Sequence, residues 1–210
     1  LVMAIDWGGG GSEGLSYTTV AFIGLRHDGI LEVPYGIRYM QELDYIEEAK
    51  KLAELYRIIN PDYIVHDYTG AGGIREIVMV GQGVPMDVFV PMYLVSTSTN
   101  YLIVPVDKPG KHRLFYKIDK TRGYQITIGA IRAKQVLFFN NGLTEEGQNL
   151  LNDFLSLCEE KKYTQGDREI YRIIKRRRSI DDFAAAVMIG SCFIWNYRGE
   201  WPILDDIGRI

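Results

Sequence analysis

Apolar runs that end on single carboxylates set the pattern of this chain. Leu1–Ile5 is unbroken apolar sequence, followed by Asp6, Trp7 and a run of glycines. A strand that is apolar on both faces belongs in the middle of a sheet, so Val2–Trp7 reads as a central strand and Gly8–Gly14 as the loop after it. Tyr17–Arg26 is β-branched and aromatic. His27-Asp28-Gly29 turns the chain back into a third strand, Ile30–Tyr39, antiparallel to the second. Asp44–Ile59 carries Ile46, Ala49, Leu52, Ala53 and Tyr56 at helical spacing, and Asn60-Pro61 stops it. Asp62–Asp67 is a fourth strand that again ends on a carboxylate. Thr69-Gly70-Ala71-Gly72-Gly73 follows, then a helix over Ile74–Gly81 and a fifth strand over Met86–Met92.

The second half is less regular. Ser96–Lys120 has a weak pattern with room for a hairpin at Asp107–Gly110. Helices are expected over Arg122–Lys134, Thr144–Lys161 and Ile180–Trp195, with a short strand at Val136–Phe139. Glu169–Lys175 fits a strand or a helix, and Tyr197–Ile210 reads as irregular. A three-strand meander followed by αβαβ is not a plain doubly wound sheet. It predicts an α/β fold with a mixed sheet, in which the first strand is central and the fourth lies parallel beside it. No repeat or internal boundary is visible, so residues 1–210 read as one domain. Because Leu1 already belongs to a strand, that domain is expected to be cut from a longer polypeptide.

Composition narrows the possible functions. With 210 residues, 47% of them hydrophobic, the chain can bury a full core. A net charge of −3 excludes a globally basic nucleic-acid binder but leaves room for a local basic surface. Cys158 and Cys192 lack metal-type spacing and read as reduced core residues of an intracellular protein. No signal peptide is visible, and the longest apolar run, Phe183–Trp195, is too short to span a bilayer.

Asp6 and Asp67 are the first candidates for chemistry. If their strands are adjacent and parallel, both carboxylates emerge at the carboxyl edge of the sheet, where open α/β sheets place ligands. Two such carboxylates repel unless a cation lies between them, and hard oxygen donors favour Mg²⁺ or Mn²⁺. Either Asp alone could simply cap the loop after its strand. A third carboxylate comes from Asp181-Asp182, at the start of an Ala-rich apolar helix. Asp182 lies one turn before Ala186 and so shares its buried face, which favours Asp182 as ligand and Asp181 as cap or outer neighbour; the opposite assignment stays open. Three carboxylates around two cations fit phosphodiester hydrolysis with no separate base.

In their order, these residues resemble the RNase H-like nuclease fold, and within it the nuclease domain of the large terminase subunit of tailed bacteriophages. The similar stretches are Ile5-Asp6-Trp7-Gly8, Val65–Gly72, Ser179–Asp182 before the Ala-rich helix, and Tyr116–Arg122 followed by a helix and Val136–Phe139. The sequence departs from the family in having Ser179 and Ile180 where many relatives have His before the Asp pair, and Ala185 where a further acid is often found. The resemblance implies a metal-dependent, largely sequence-nonspecific DNA endonuclease acting in phage genome packaging, in the cytoplasm of the infected host. Its metal site would hold two Mg²⁺ or Mn²⁺ ions on Asp6, Asp67 and Asp182, with Asp181 beside them. It also implies an N-terminal packaging ATPase in the whole protein, with the portal and small terminase subunit as partners and no membrane. This chain itself has no Gly-x-x-x-x-Gly-Lys phosphate loop.

Duplex DNA is expected to meet local basic clusters. Lys175, Arg176, Arg177 and Arg178 stand just before the aspartates. Between Lys108 and Lys134 there are eight basic residues, Lys120 and Arg122 among them, against Asp119 alone. Each could instead be a solvated face. His66 adjoins Asp67 but points to the opposite side of its strand, so it reads as packing or outer shell. Glu13, in the glycine loop, could approach the metals. Competing readings are a junction resolvase or RNase H on the same fold, a nucleotide-binding domain of the actin and sugar-kinase type, and a catalytically dead DNA-binding scaffold.

Overall fold

The computed structural model describes residues 1–8, 16–39, 44–95, 102–106, 113, 115–138, 144–165, 168–176 and 179–202, with backbone only for 161–165 and 168–171. Eight strands form one mixed sheet. In chain order they are β1 (Val2–Asp6), β2 (Thr19–Leu25), β3 (Leu31–Arg38), β4 (Tyr63–Asp67), β5 (Phe89–Val95), β6 (Ile103–Val106), β7 (Phe115–Asp119) and β8 (Val136–Phe138). Their spatial order is β6-β7-β5-β4-β1-β2-β3-β8. β1 is central, antiparallel to β2 and parallel to β4, as the sequence predicts. A separate hairpin pairs β9 (Leu157–Gln165) with β10 (Arg168–Lys175).

Helices cover both faces. α1 (Tyr45–Ile59) and α2 (Gly72–Gly81) close one core with Met3, Ile5, Val20, Phe22, Leu52 and Met79. α1 starts where the Asp44 side chain accepts from the Ile46 N–H at 3.0 Å, and it ends on Asn60 in the left-handed region (φ 52°) before Pro61. On the other face lie α3 (Lys120–Arg132), α4 (Glu145–Leu155) and α5 (Asp182–Arg198). α5 is buried without a break from Asp182 to Trp195. Gly190 lets it sit directly on β1 and β2, because a Cβ there would come within 2.8 Å of the Ala4 Cβ and 2.6 Å of Ile23 Cδ1. No described helix is long and apolar enough to cross a membrane.

Three expectations change. The helix expected over Thr144–Lys161 stops at Leu155, and the residues from Leu157 onward form a strand instead. The Ser156 Oγ lies 2.7 Å from both Asp153 O and Ile180 O and can donate to either, which fixes the chain where the helix ends. Pairing with β10 then decides the rest, with Glu160 opposite Arg172 and bonded to its Nε at 2.6 Å. That pairing also makes Glu169–Lys175 a strand. The weak stretch before Lys120 contains β7, which extends the sheet parallel to β5, with β6 antiparallel at its edge. Asp107–Gly110 lies outside the described residues. Met86–Val88 is a single 3₁₀ turn, so β5 begins at Phe89.

Candidate active site

Ile5 pairs with His66 across the parallel β1–β4 ladder. Asp6 and Asp67, one residue further along, therefore leave the sheet side by side at its carboxyl edge. Thr19 of β2 lies opposite Asp6. Two residues before Thr19, the Tyr17 N–H donates to the Asp182 carboxylate at 2.7 Å, and the Ser16 hydroxyl donates to its other oxygen at 3.3 Å. These bonds tie the first turn of α5 to the chain entering β2. Burial pushes the Asp6 carboxyl well above the usual carboxylate range; Asp67 and Asp182 push it further, Lys120 opposes, and Asp181 adds a smaller push.

Each partner carboxylate is already engaged. Asp67 accepts from the Thr69 N–H at 2.8 Å and from the Thr69 hydroxyl at 2.7 Å. Asp181 occupies the N-cap position of α5 but makes no capping bond with its side chain. It accepts instead from the Tyr124 hydroxyl at 3.1 Å and the Lys120 ammonium at 3.3 Å, with the Lys175 ammonium 3.5 Å away. Burial raises the Asp181 carboxyl, but Lys120 and Lys175 outweigh it and hold the group below its ordinary value. The cap of α5 comes from α4: the buried Asp153 accepts from the Phe183 N–H at 2.7 Å and pairs with Arg38.

Lys120 and Lys175 thus face the carboxylates. Burial disfavours the Lys120 ammonium, yet Asp181, Asp6 and Asp67 hold it charged above the ordinary lysine range. Arg176 is exposed and Arg122 half-buried, with the Arg122 N–H capped by Asp119 at 3.1 Å. Arg177, Arg178 and Glu13 lie outside the described residues. Among the described residues, no three His, Cys, Asp or Glu side chains stand close enough together to hold one ion. The donor chemistry still fits a hard dication. Asp6 and Asp67 leave adjacent strands at one edge, and burial together with Asp67 and Asp182 disfavours the ionised form of Asp6 more than Lys120 favours it, which a dication would reverse.

Sequence reasoning missed the layer behind this edge. Arg75 and Glu76 of α2 contact Gly8 and His66, the residues next to Trp7 and Asp67, and are paired in turn with Glu48 of α1 and with Arg113. The signal was available, since Arg75-Glu76 interrupts the otherwise apolar run Ile74–Val80.

No family model matches the sequence, and no curated protein matches it. Solved structures do resemble it in fold. The large terminase nuclease from the thermophilic phage G20c aligns over 91% of this chain and 80% of its own, at 14% identity and a TM-score of 0.55. A single-site mutant of the large terminase subunit from bacteriophage Sf6, solved with calcium, aligns over 89% and 86%, at 14% identity and a TM-score of 0.60. The Sf6 nuclease domain solved with manganese gives 89% and 85%, 15% identity and 0.58. The chain shares the mixed α/β fold of these nuclease domains.

Proposed function

We propose that residues 1–210 are the nuclease domain of a phage large terminase subunit, a divalent-metal-dependent endonuclease that cuts concatemeric duplex DNA with little regard to sequence. The observation that supports this reading is that Asp6 and Asp67 end neighbouring parallel strands while the Tyr17 N–H ties Asp182 to the chain entering β2, and that burial, then Asp67 and Asp182, raise the Asp6 carboxyl above its ordinary range. The fold shared with the G20c and Sf6 nucleases supports it. A packaging ATPase in the same polypeptide, the portal and the small terminase subunit would be its partners, in the host cytoplasm.

In this reading Asp6, Asp67 and Asp182 would hold the ions, and Asp181 holds Lys120 and Lys175 beside them. Two Mg²⁺ or Mn²⁺ ions, once bound, would supply an ionised water and stabilise the leaving oxygen. Thr69 orients the Asp67 carboxylate, and Tyr17 orients that of Asp182. Lys120 and Lys175 bring positive charge to the edge where a phosphate arrives. Arg176, on the exposed approach, contacts flanking phosphates without reading bases, and Arg122, Arg177 and Arg178 are assigned the same role.

The test is Mn²⁺-dependent plasmid cleavage by Asp6→Asn, Asp67→Asn and Asp182→Asn. Loss of an outer-shell partner alone costs about 10–100-fold, so loss of a ligand should exceed roughly a hundredfold. Unchanged cleavage in folded D6N or D67N sinks the reading. Faster cutting of a four-way junction or an RNA–DNA hybrid than of linear duplex overturns the packaging role.

A further inference from the structure

Trp7 follows Asp6, and His66 precedes Asp67. Alternation along the strands points both rings to the α1/α2 face, behind the carboxylates. His66 is fully buried, and Trp7 and Glu76 are nearly so. The Trp7 indole N–H donates to His66 Nδ1 at 3.1 Å. An indole N–H can only donate, so Nδ1 carries no proton and the imidazole proton sits on Nε2. Nε2 faces the Glu76 carboxylate at 2.9 Å. The other Glu76 oxygen accepts from Arg113, which also donates to Met86 O at 3.4 Å. Burial raises the Glu76 carboxyl, but His66 and then Arg113 bring it below its ordinary value.

A second set of contacts clamps the same chain. Arg75 donates to Gly8 O at 2.7 Å, lies 5.1 Å from the centre of the Trp7 ring, and faces Glu48 at 2.9 Å without hydrogen-bond alignment. Gly72 allows α2 this close, because a Cβ there would come within 2.2 Å of Asp67 O and 3.2 Å of Trp7 Cδ1. The surrounding cluster is otherwise apolar. A polar chain in such a place costs desolvation that apolar side chains would not, and what it adds is a fixed geometry.

We infer that Trp7, His66, Glu76 and Arg113 form a positioning relay that sets the separation of the Asp6 and Asp67 carboxylates against their mutual repulsion, and so sets the affinity for the divalent ion. This rests on the reading of those two aspartates as metal ligands. The relay crosses the β1–β4 boundary directly behind them and anchors it to α2 and to Arg113, ahead of β7. None of its members touches the ion.

The test is calorimetric titration of Mn²⁺ into wild-type protein, Trp7→Phe, His66→Phe and Asp6→Asn. Each variant is first checked as folded by far-UV circular dichroism at the titration temperature. W7F and H66F keep an aromatic ring but lose the relay bonds, and their Mn²⁺ affinity should fall roughly tenfold. Unchanged affinity in folded W7F and H66F, with binding abolished in D6N, overturns the relay and leaves the ligand reading intact. Unchanged affinity in D6N overturns the ligand reading itself. Long-range ¹⁵N–¹H NMR on the wild-type protein needs no variant to fold: an Nε2–H tautomer of His66 supports the relay, and an Nδ1–H tautomer overturns it.

Discussion

Replacing Asp6 by Asn should stabilise the metal-free protein at neutral to alkaline pH and weaken the metal-loaded one. Adjacent parallel strands lie about 4.8 Å apart, so carboxylates leaving neighbouring positions start about 5 Å from each other. At an effective dielectric of about 20, two charges at that distance repel by about 3 kcal/mol. Burial of the charge, the larger cause, adds to the repulsion, while partial exposure and Lys120 offset part of both, which leaves about 1–2 kcal/mol for the substitution to relieve. For a chain of this size that is a rise in Tm of about 3–6 °C. The sign follows from the raised carboxyl. Below the unfolded carboxylate range, Asp6 is protonated in both states and costs nothing. As the pH rises, the unfolded chain ionises first, and stability is lost until the folded group also ionises. The gain in D6N should therefore be large at about pH 8 and shrink toward zero near about pH 4, the ordinary range for Asp. Thermal melts in EDTA at both values measure it. With Mn²⁺ at about a hundred times its Kd, wild type gains about 2.7 kcal/mol that D6N does not, and the order reverses. A D6N protein that melts at or below wild type in EDTA at the higher pH refutes the reasoning.

Other substitutions probe the supports of the site. Asp153→Asn breaks a buried pair with Arg38 and weakens the cap of α5, so it should cost about 3–5 kcal/mol in urea unfolding, far more than a surface change. Gly72→Ala drives a methyl into Asp67 O and the Trp7 ring; it should cost about 1–3 kcal/mol and weaken Mn²⁺ binding together with it, read by thermal melts and calorimetry. Asp181→Asn removes the anchor of Lys120 and Lys175. It should retain Mn²⁺ binding that Asp182→Asn loses, and the opposite ranking in calorimetry would assign the third ligand to Asp181.

How much the sequence reveals depends on how local the cause is. β1 and β4 are legible because each is an apolar run broken by one carboxylate, and α1 because its period, cap and stop agree. Reading Asp6 and Asp67 as neighbours needed only the meander and one right-handed crossover. β9 was hidden because Cys158–Lys161 has no strand signal of its own; its conformation comes from β10, supplied later in the chain. β7 was hidden because a short edge-side strand inside a polar stretch is specified by β5, not by its own alternation. The lysines illustrate a different limit. A basic residue near a candidate nuclease site suggests a hand for DNA, yet composition does not reveal that Lys120 and Lys175 turn inward to Asp181.

The Asp181-Asp182 pair gains its meaning from that inward turn. Both residues are buried at the start of one helix, where the dipole favours negative charge equally, so the helix alone cannot divide their work. Their partners divide it. Asp181 is matched by two ammonium groups and a tyrosine hydroxyl, which satisfy its charge within the protein and hold it ionised. Asp182 is hydrogen-bonded by one backbone N–H and one hydroxyl, neutral donors that orient a carboxylate without cancelling it; burial raises its carboxyl, and Lys175 opposes that only in part. Asp6 and Asp182 are therefore the two carboxyls of this group that the surroundings push toward the neutral form, against the partial opposition of Lys120 and Lys175. If Asp6 and Asp182 are ligands, a dication would restore their ionised forms, whereas at Asp181 it would have to displace Lys120 and Lys175 first.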